Sequence, residues 1–231
     1  MIFRQLIHYA TFTYTYILGD ETSRLSVIID PVKENVDRYI KLLDELDLKL
    51  TYALDTHVHA DHITGAGLLR ERTGCATVLG KNTAAPCVSL KVEHNQTLNV
   101  GDLKINVLET PGHTDDSVSY WVESDSQRFL FTGDTLLIRG TGRTDFQNGN
   151  ALDQYNSLFN KLLTLPDNTL VYPGHDYNGR TMSTIGEEKQ FNPRLQVESA
   201  EEYQTLMKNL KLPDPKYMDV AVPANLQCGK D

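Results

Sequence analysis

Apolar and polar residues alternate over residues 11–18, Thr-Phe-Thr-Tyr-Thr-Tyr-Ile-Leu, with the period of two that a half-buried strand requires. Residues 2–8 are equally rich in strand-forming types, and Gly19-Asp20 makes a turn. Residues 25–29 form a second apolar strand, stopped by Asp30-Pro31. The spacing then changes. Val36, Tyr39, Ile40, Leu43 and Leu46 predict an amphipathic helix over residues 33–46. Residues 51–54 and 76–79 read as strands on either side of a helix over 62–72. Residues 90–109 predict two antiparallel strands about a turn at Asn99-Val100-Gly101-Asp102. Residues 117–122, 128–131 and 170–172 are further strands, and 151–163, 184–190 and 199–210 are helical. Residues 135–149 are Gly-rich with little periodicity, which suits an ordered functional loop. The end, with Pro213, Pro215 and Pro223, reads as irregular.

The polar clusters fall just after strands. Strands, helix and strands recur in each half, so the expected product is a single α/β domain over 1–231 with a short C-terminal extension from about 185. Ligands on loops from two sheets would converge on one edge of a sandwich.

Composition narrows the function. The net charge is −9, which excludes the basic footprint that nucleic acid or an anionic membrane surface demands. No apolar run approaches the ~20 residues of a membrane span, and the N-terminus lacks a signal peptide's apolar core. Cys75, Cys87 and Cys228 are an odd number with no C-x-x-C, and read as reduced thiols of a cytoplasmic protein.

Five of the seven histidines lie in four clusters: Thr56-His57-Val58-His59-Ala60-Asp61-His62, Pro111-Gly112-His113-Thr114, Thr132-Gly133-Asp134-Thr135 and Pro173-Gly174-His175-Asp176. Only His8 and His94 stand outside them. Neutral imidazole is the commonest side-chain metal ligand. In an extended segment His57 and His59 point the same way, and Asp61 with His62 follows where the chain turns, so two adjacent ligand sets are allowed. Taken singly, His113 or His175 is a turn residue, Asp61 a helix cap and Asp134 a turn former. Together they specify a metal site.

In type and order these residues resemble the motif set of the metallo-β-lactamase superfamily, whose fold is an αββα sandwich of two mixed sheets flanked by helices. The runs 55–65, 132–146, 172–177 and Val222-Pro223-Ala224-Asn225 are similar to the persulfide dioxygenases, and the likeness extends from Phe3 to Gly229. That resemblance implies one Fe(II) per chain held by His57, His113 and Asp134. It also implies that glutathione persulfide is oxidised with O2 and water to sulfite and glutathione. His59, Asp61, His62 and His175 would then orient ligands and water, with Tyr177 donating to substrate. Zinc lacks the redox change that oxygen chemistry needs, whereas two histidines and a carboxylate leave iron(II) positions open.

For the two carboxylates of glutathione, Arg139 and Arg143 have forks suited to bidentate pairing, with Arg180 and Tyr172 as further candidates. The alternative for the arginines is a structural pair with an acid such as Asp145. The resemblance also implies a homodimer, and a separate sulfurtransferase partner is compatible with it. Two other readings remain. One is a dinuclear glutathione thioester hydrolase of the glyoxalase II type, which residues 188–195 also resemble. The other is a metal-binding module without catalysis.

Overall fold

The computed structural model describes residues 1–213 and 217–230, so Pro215 lies outside the described residues. The chain builds two six-stranded sheets. The first orders β1 (Ile2–His8), β2 (Thr13–Gly19), β3 (Leu25–Ile29), β4 (Lys49–Leu54), β5 (Ala76–Gly80) and β6 (Leu90–Val92) side by side. Its first three strands are antiparallel, and β3 to β6 run parallel. The second sheet contains β7 (Thr97–Val100), β8 (Leu103–Glu109), β9 (Val118–Ser124) and β10 (Gln127–Gly133). A small hairpin, β11 (Leu136–Leu137) and β12 (Gly140–Thr141), follows, and β13 (Leu170–Pro173) and β14 (Ser183–Thr184) complete the second sheet.

The period of two decides which side of β2 faces which layer. Tyr14, Tyr16 and Leu18 enter the core between the sheets, beside Val27, Ile29, Phe131 and Tyr172. Ile17 points the other way, against Val36, Tyr39 and Leu43 of α1 (Val36–Glu45) and Leu69 of α2 (Ala66–Thr73). On the far side, Leu130 and Val171 pack under α3 (Ala151–Phe159), α4 (Ile185–Phe191) and α5 (Ala200–Lys208) through Leu158, Ile185 and Tyr203. Helices thus cover both outer faces of two mixed sheets, the αββα arrangement that the motifs imply.

Four local expectations change. Leu90–Val92 does not extend the hairpin at residue 101 but adds to the first sheet, parallel to β5. The helix expected over 62–72 begins only at Ala66, because residues 60–65 are held in a bend by bonds described below. The irregular end contains a helix, α6 (Met218–Asn225), with Pro223 inside it. One proline costs a short helix one backbone bond, and the buried Ala221 and Asn225 fasten this one. Finally, Cys87 and Cys228 form a disulfide, contrary to the expectation of three reduced thiols. Val222 and Leu226 of the C-terminal segment pack with Val58, Leu79 and Ala85, which carries Cys228 to Cys87. Cys75 is free and buried.

Candidate metal centre

Four strands deliver the cluster. β4 ends at Leu54 and leads into His57–His62, while β8, β10 and β13 of the second sheet lead into His113, Asp134 and His175. Two glycines make the approach geometrically feasible. Gly133 has φ +48°, and a Cβ there would sit 2.4 Å from Thr56 Oγ1. Gly112 has φ +139° and lies flush against Gln154, which a Cβ would meet at 2.3 Å.

One potential ligand atom each of His57, His113 and Asp134 lies within 4.8 Å of the others, and the same holds for His59, Asp61 and His62. His175 joins the two groups, its Nε2 3.5 Å from Asp61 Oδ2 and 3.7 Å from Asp134 Oδ2. Hydrogen bonds settle which nitrogens are free. His113 donates from Nδ1 to the carbonyl of Arg143 at 2.8 Å, leaving Nε2 a lone pair 3.6 Å from Asp134 Oδ2. Thr56 Oγ1 gives its proton to Asp30 and so accepts from His57 Nδ1, leaving His57 Nε2 free. His59 Nε2 donates to Asp30 Oδ1 at 3.1 Å, and His62 Nδ1 to Asp61 Oδ2 at 3.0 Å. His59 Nδ1, His62 Nε2 and Asp134 Oδ1 are buried without a partner. Orphaned acceptors in such a place suit a cation, and the donors behind them fix each ring as metal sites require.

The charge states agree. Burial first, and neighbouring imidazoles second, push His57 and His59 well below the ordinary histidine range, so both rings are neutral. Burial alone would raise Asp134, but His175, His113 and His57 outweigh it and hold the carboxyl below its usual value. Asp61 is likewise held well down, because His62 and His175 overcome burial. The same carboxylates reverse the effect of burial on His175 and raise it.

Residues 9–175 match the family description "Metallo-beta-lactamase superfamily". The mitochondrial persulfide dioxygenase ETHE1 of Homo sapiens is 46% identical over 230 residues, covering 99% of this chain and 89% of that protein. The crystal structure of ETHE1 from Myxococcus xanthus superposes with a TM-score of 0.95 at 56% identity, covering 99% of this chain and all of that one. The chain belongs to the persulfide dioxygenase family of the metallo-β-lactamase superfamily. The hydroxyacylglutathione hydrolase of Dictyostelium discoideum is a further relative, 38% identical over 170 residues, or 71% of this chain and 62% of that protein.

Beyond the candidate ligands, this persulfide dioxygenase family member places the predicted residues unevenly. Tyr177 is exposed, and its ring stacks on His175 with centroids 6.0 Å apart. Desolvation, then Asp134 and Asp61, raise its hydroxyl above the ordinary tyrosine range, so it remains a donor. Arg139 is engaged by Glu187 and by the fully buried Glu188. Arg143 forms a bidentate pair with Asp145 at 2.6 and 2.8 Å and donates to the carbonyl of Pro213. Arg180 lies 3.4 Å from Asp176. Tyr172 is buried in the aromatic core, its hydroxyl beside Met182. Asp145, the acid named as an alternative partner, pairs with Arg143, whereas Arg139 and Arg180 pair with acids that the sequence reading did not name.

Three supporting residues escape sequence reasoning. Asp30 accepts from Thr56 N at 2.7 Å, from Thr56 Oγ1 and from His59 Nε2. Asp55 accepts from Thr64 Oγ1 at 2.9 Å. Asn225 accepts from Thr64 N and donates to the carbonyls of His59 and His62, each at 2.8 Å. For Asp30 a signal existed. It directly follows β3, and parallel neighbours bring their ends together, here beside the end of β4.

Proposed function

We propose that this chain is a mononuclear iron(II) persulfide dioxygenase, converting glutathione persulfide, O2 and water to sulfite and glutathione. The observation that supports it most is the convergence of His57, His113 and Asp134 in a chain 46% identical to a persulfide dioxygenase over 99% of its length. Two imidazoles and one carboxylate suit non-haem iron(II), which supplies the electrons for O2 chemistry when bound. His57 and His113 would offer Nε2, and Asp134 its carboxylate, with the Arg143 carbonyl and Thr56 fixing the ring orientations. Tyr177 donates to substrate at the mouth. Asp61 and His175 hold the water consumed in releasing sulfite. His59 and His62 support that edge of the site. Arg143 is the best-placed cation for a glutathione carboxylate, since its loop also holds His113. It must exchange Asp145 for the substrate, which limits its contribution to affinity. Arg139 and Arg180 would act only by similar exchanges.

We further propose a single domain over 1–231 acting as a homodimer, with persulfide delivered by a separate sulfurtransferase. Among the described residues no helix is long and apolar enough to cross a membrane.

A second reading keeps one specific support. His59, Asp61 and His62 form another ligand group with two orphaned nitrogens, which a dinuclear thioester hydrolase would fill. Zinc-loaded, iron-free enzyme separates the two readings. Loss of persulfide-dependent O2 uptake on that exchange supports iron chemistry, whereas an unchanged rate contradicts it.

A further inference from the structure

The turn between β1 and β2, residues 9–12, lies against the loop that carries His175. Backbone on either side of Phe12 is tied to that loop. His175 Nδ1 donates to the carbonyl of Thr11 at 3.3 Å, Thr13 pairs with His175 as an antiparallel bridge, and Tyr14 N donates to the carbonyl of Gly174 at 2.8 Å. Phe12 itself is held at φ +57°, and among the described residues no other aromatic has a positive φ. That conformation is uncommon for a bulky side chain and persists only where the surroundings impose it, most often beside a functional site. The Phe12 ring lies against Tyr177, with centroids 5.5 Å apart. Tyr177 in turn stacks on His175, their planes within 2°. Three rings thus lead from solvent to the metal cluster. Burial does not account for the outer two, because Phe12 is 40% exposed and Tyr177 66%.

We infer that Phe12 is a specificity-determining residue. With Tyr177 it forms an aromatic wall at the mouth, on which the peptide amides of the substrate lie, so that persulfides carried on a peptide are selected over that of a free amino acid. Aromatic faces give such flat groups a large contact at low entropic cost. The cysteinyl residue of glutathione persulfide has an amide on each side, whereas cysteine persulfide carries the same sulfur chain with neither. The wall also supplies a hold that the nearby cations do not give freely, since Arg139, Arg143 and Arg180 each face an acid already. The inference takes its reaction from the dioxygenase reading, but the wall would hold any glutathione conjugate.

The test compares Phe12→Asn and Phe12→Tyr with wild type in an oxygen-electrode assay on glutathione persulfide and on cysteine persulfide, with iron content and Tm measured in each. Asparagine tolerates a positive φ and lacks the ring, so Phe12→Asn should keep its iron and a Tm equal to or above wild type. Its KM for glutathione persulfide should rise about 5- to 10-fold, the worth of one aromatic contact, at unchanged kcat. Its activity on cysteine persulfide should not change. Phe12→Tyr keeps the ring and should hold KM near the wild-type value. An unchanged KM for glutathione persulfide in Phe12→Asn, an equal loss on both persulfides, or the same rise in Phe12→Tyr overturns the assignment. A fall in Tm with loss of iron marks a merely structural turn and overturns it too. Failure of the function itself looks different. Wild type would then take up no O2 with persulfide and would hydrolyse S-lactoylglutathione, whose KM in the same two variants judges the wall, because that thioester carries the same peptide.

Discussion

At the scale of single residues, His57 and His62 differ in what stands behind them. His57 is backed by Thr56 and Asp30 and faces His113 and Asp134, while His62 is bonded to Asp61. His57→Ala should therefore abolish iron binding and O2 uptake together. His62→Ala should keep one iron per chain and lose rate only in part, by iron analysis and oxygen electrode on the same preparations. A second prediction concerns Gly133. A Cβ at φ +48°, 2.4 Å from Thr56 Oγ1, must strain the backbone and displace the hydroxyl that orients His57. Gly133→Ala should cost about 1–3 kcal/mol by denaturant unfolding and weaken metal binding as well. The cluster of candidate ligands was legible in the sequence because ligation demands particular residue types at strand ends. The arginines were less so. Arg139 was credited with a substrate carboxylate, but α4 brings Glu187 and Glu188 to it, and no local pattern announces a partner almost 50 residues away.

At the scale of elements, the strands were readable wherever one face is buried and alternation shows. The short β6 and the late start of α2 were not. Both are set by tertiary pairing, β6 by its parallel partner and α2 by the bend that Asn225 holds. α6 was hidden by Pro223, a local signal overruled by burial of Asn225 and by the disulfide. That helix carries a prediction. Asn225→Ala leaves two buried carbonyls and one N–H of the ligand bend unpaired. The expected loss is about 2–4 kcal/mol, seen as a fall in Tm of roughly 6–12 °C. Iron content should stay near one per chain while turnover falls, because the bend carries His59 and His62 and not the three residues proposed to hold iron.

At the scale of the whole molecule, the Cys87–Cys228 disulfide spans 141 residues and ties the C-terminal helix to the first sheet's edge. Cys228→Ser, or reduction of the wild type, should lower stability by about 2–4 kcal/mol in unfolding titrations. The charge states make stability depend on pH through opposing groups. His57 and His59, held well below their ordinary range by burial, favour unfolding as the pH drops through 6.5. His175, raised by Asp134 and Asp61 against burial, and the carboxyls of Asp30, Asp55 and Asp116, raised by burial, hold protons more tightly in the fold and oppose this. Asp61 and Asp134, held low, add their loss only near and below the ordinary carboxylate value of 3.8.

One iron at His57, His113 and Asp134 is the metal content proposed for this fold. Elemental analysis of the purified protein, run beside an oxygen-electrode assay with glutathione persulfide, tests it most directly. One iron per chain is expected, with O2 consumed as sulfite appears. Two zinc ions per chain, with S-lactoylglutathione hydrolysed and no O2 taken up, would contradict it.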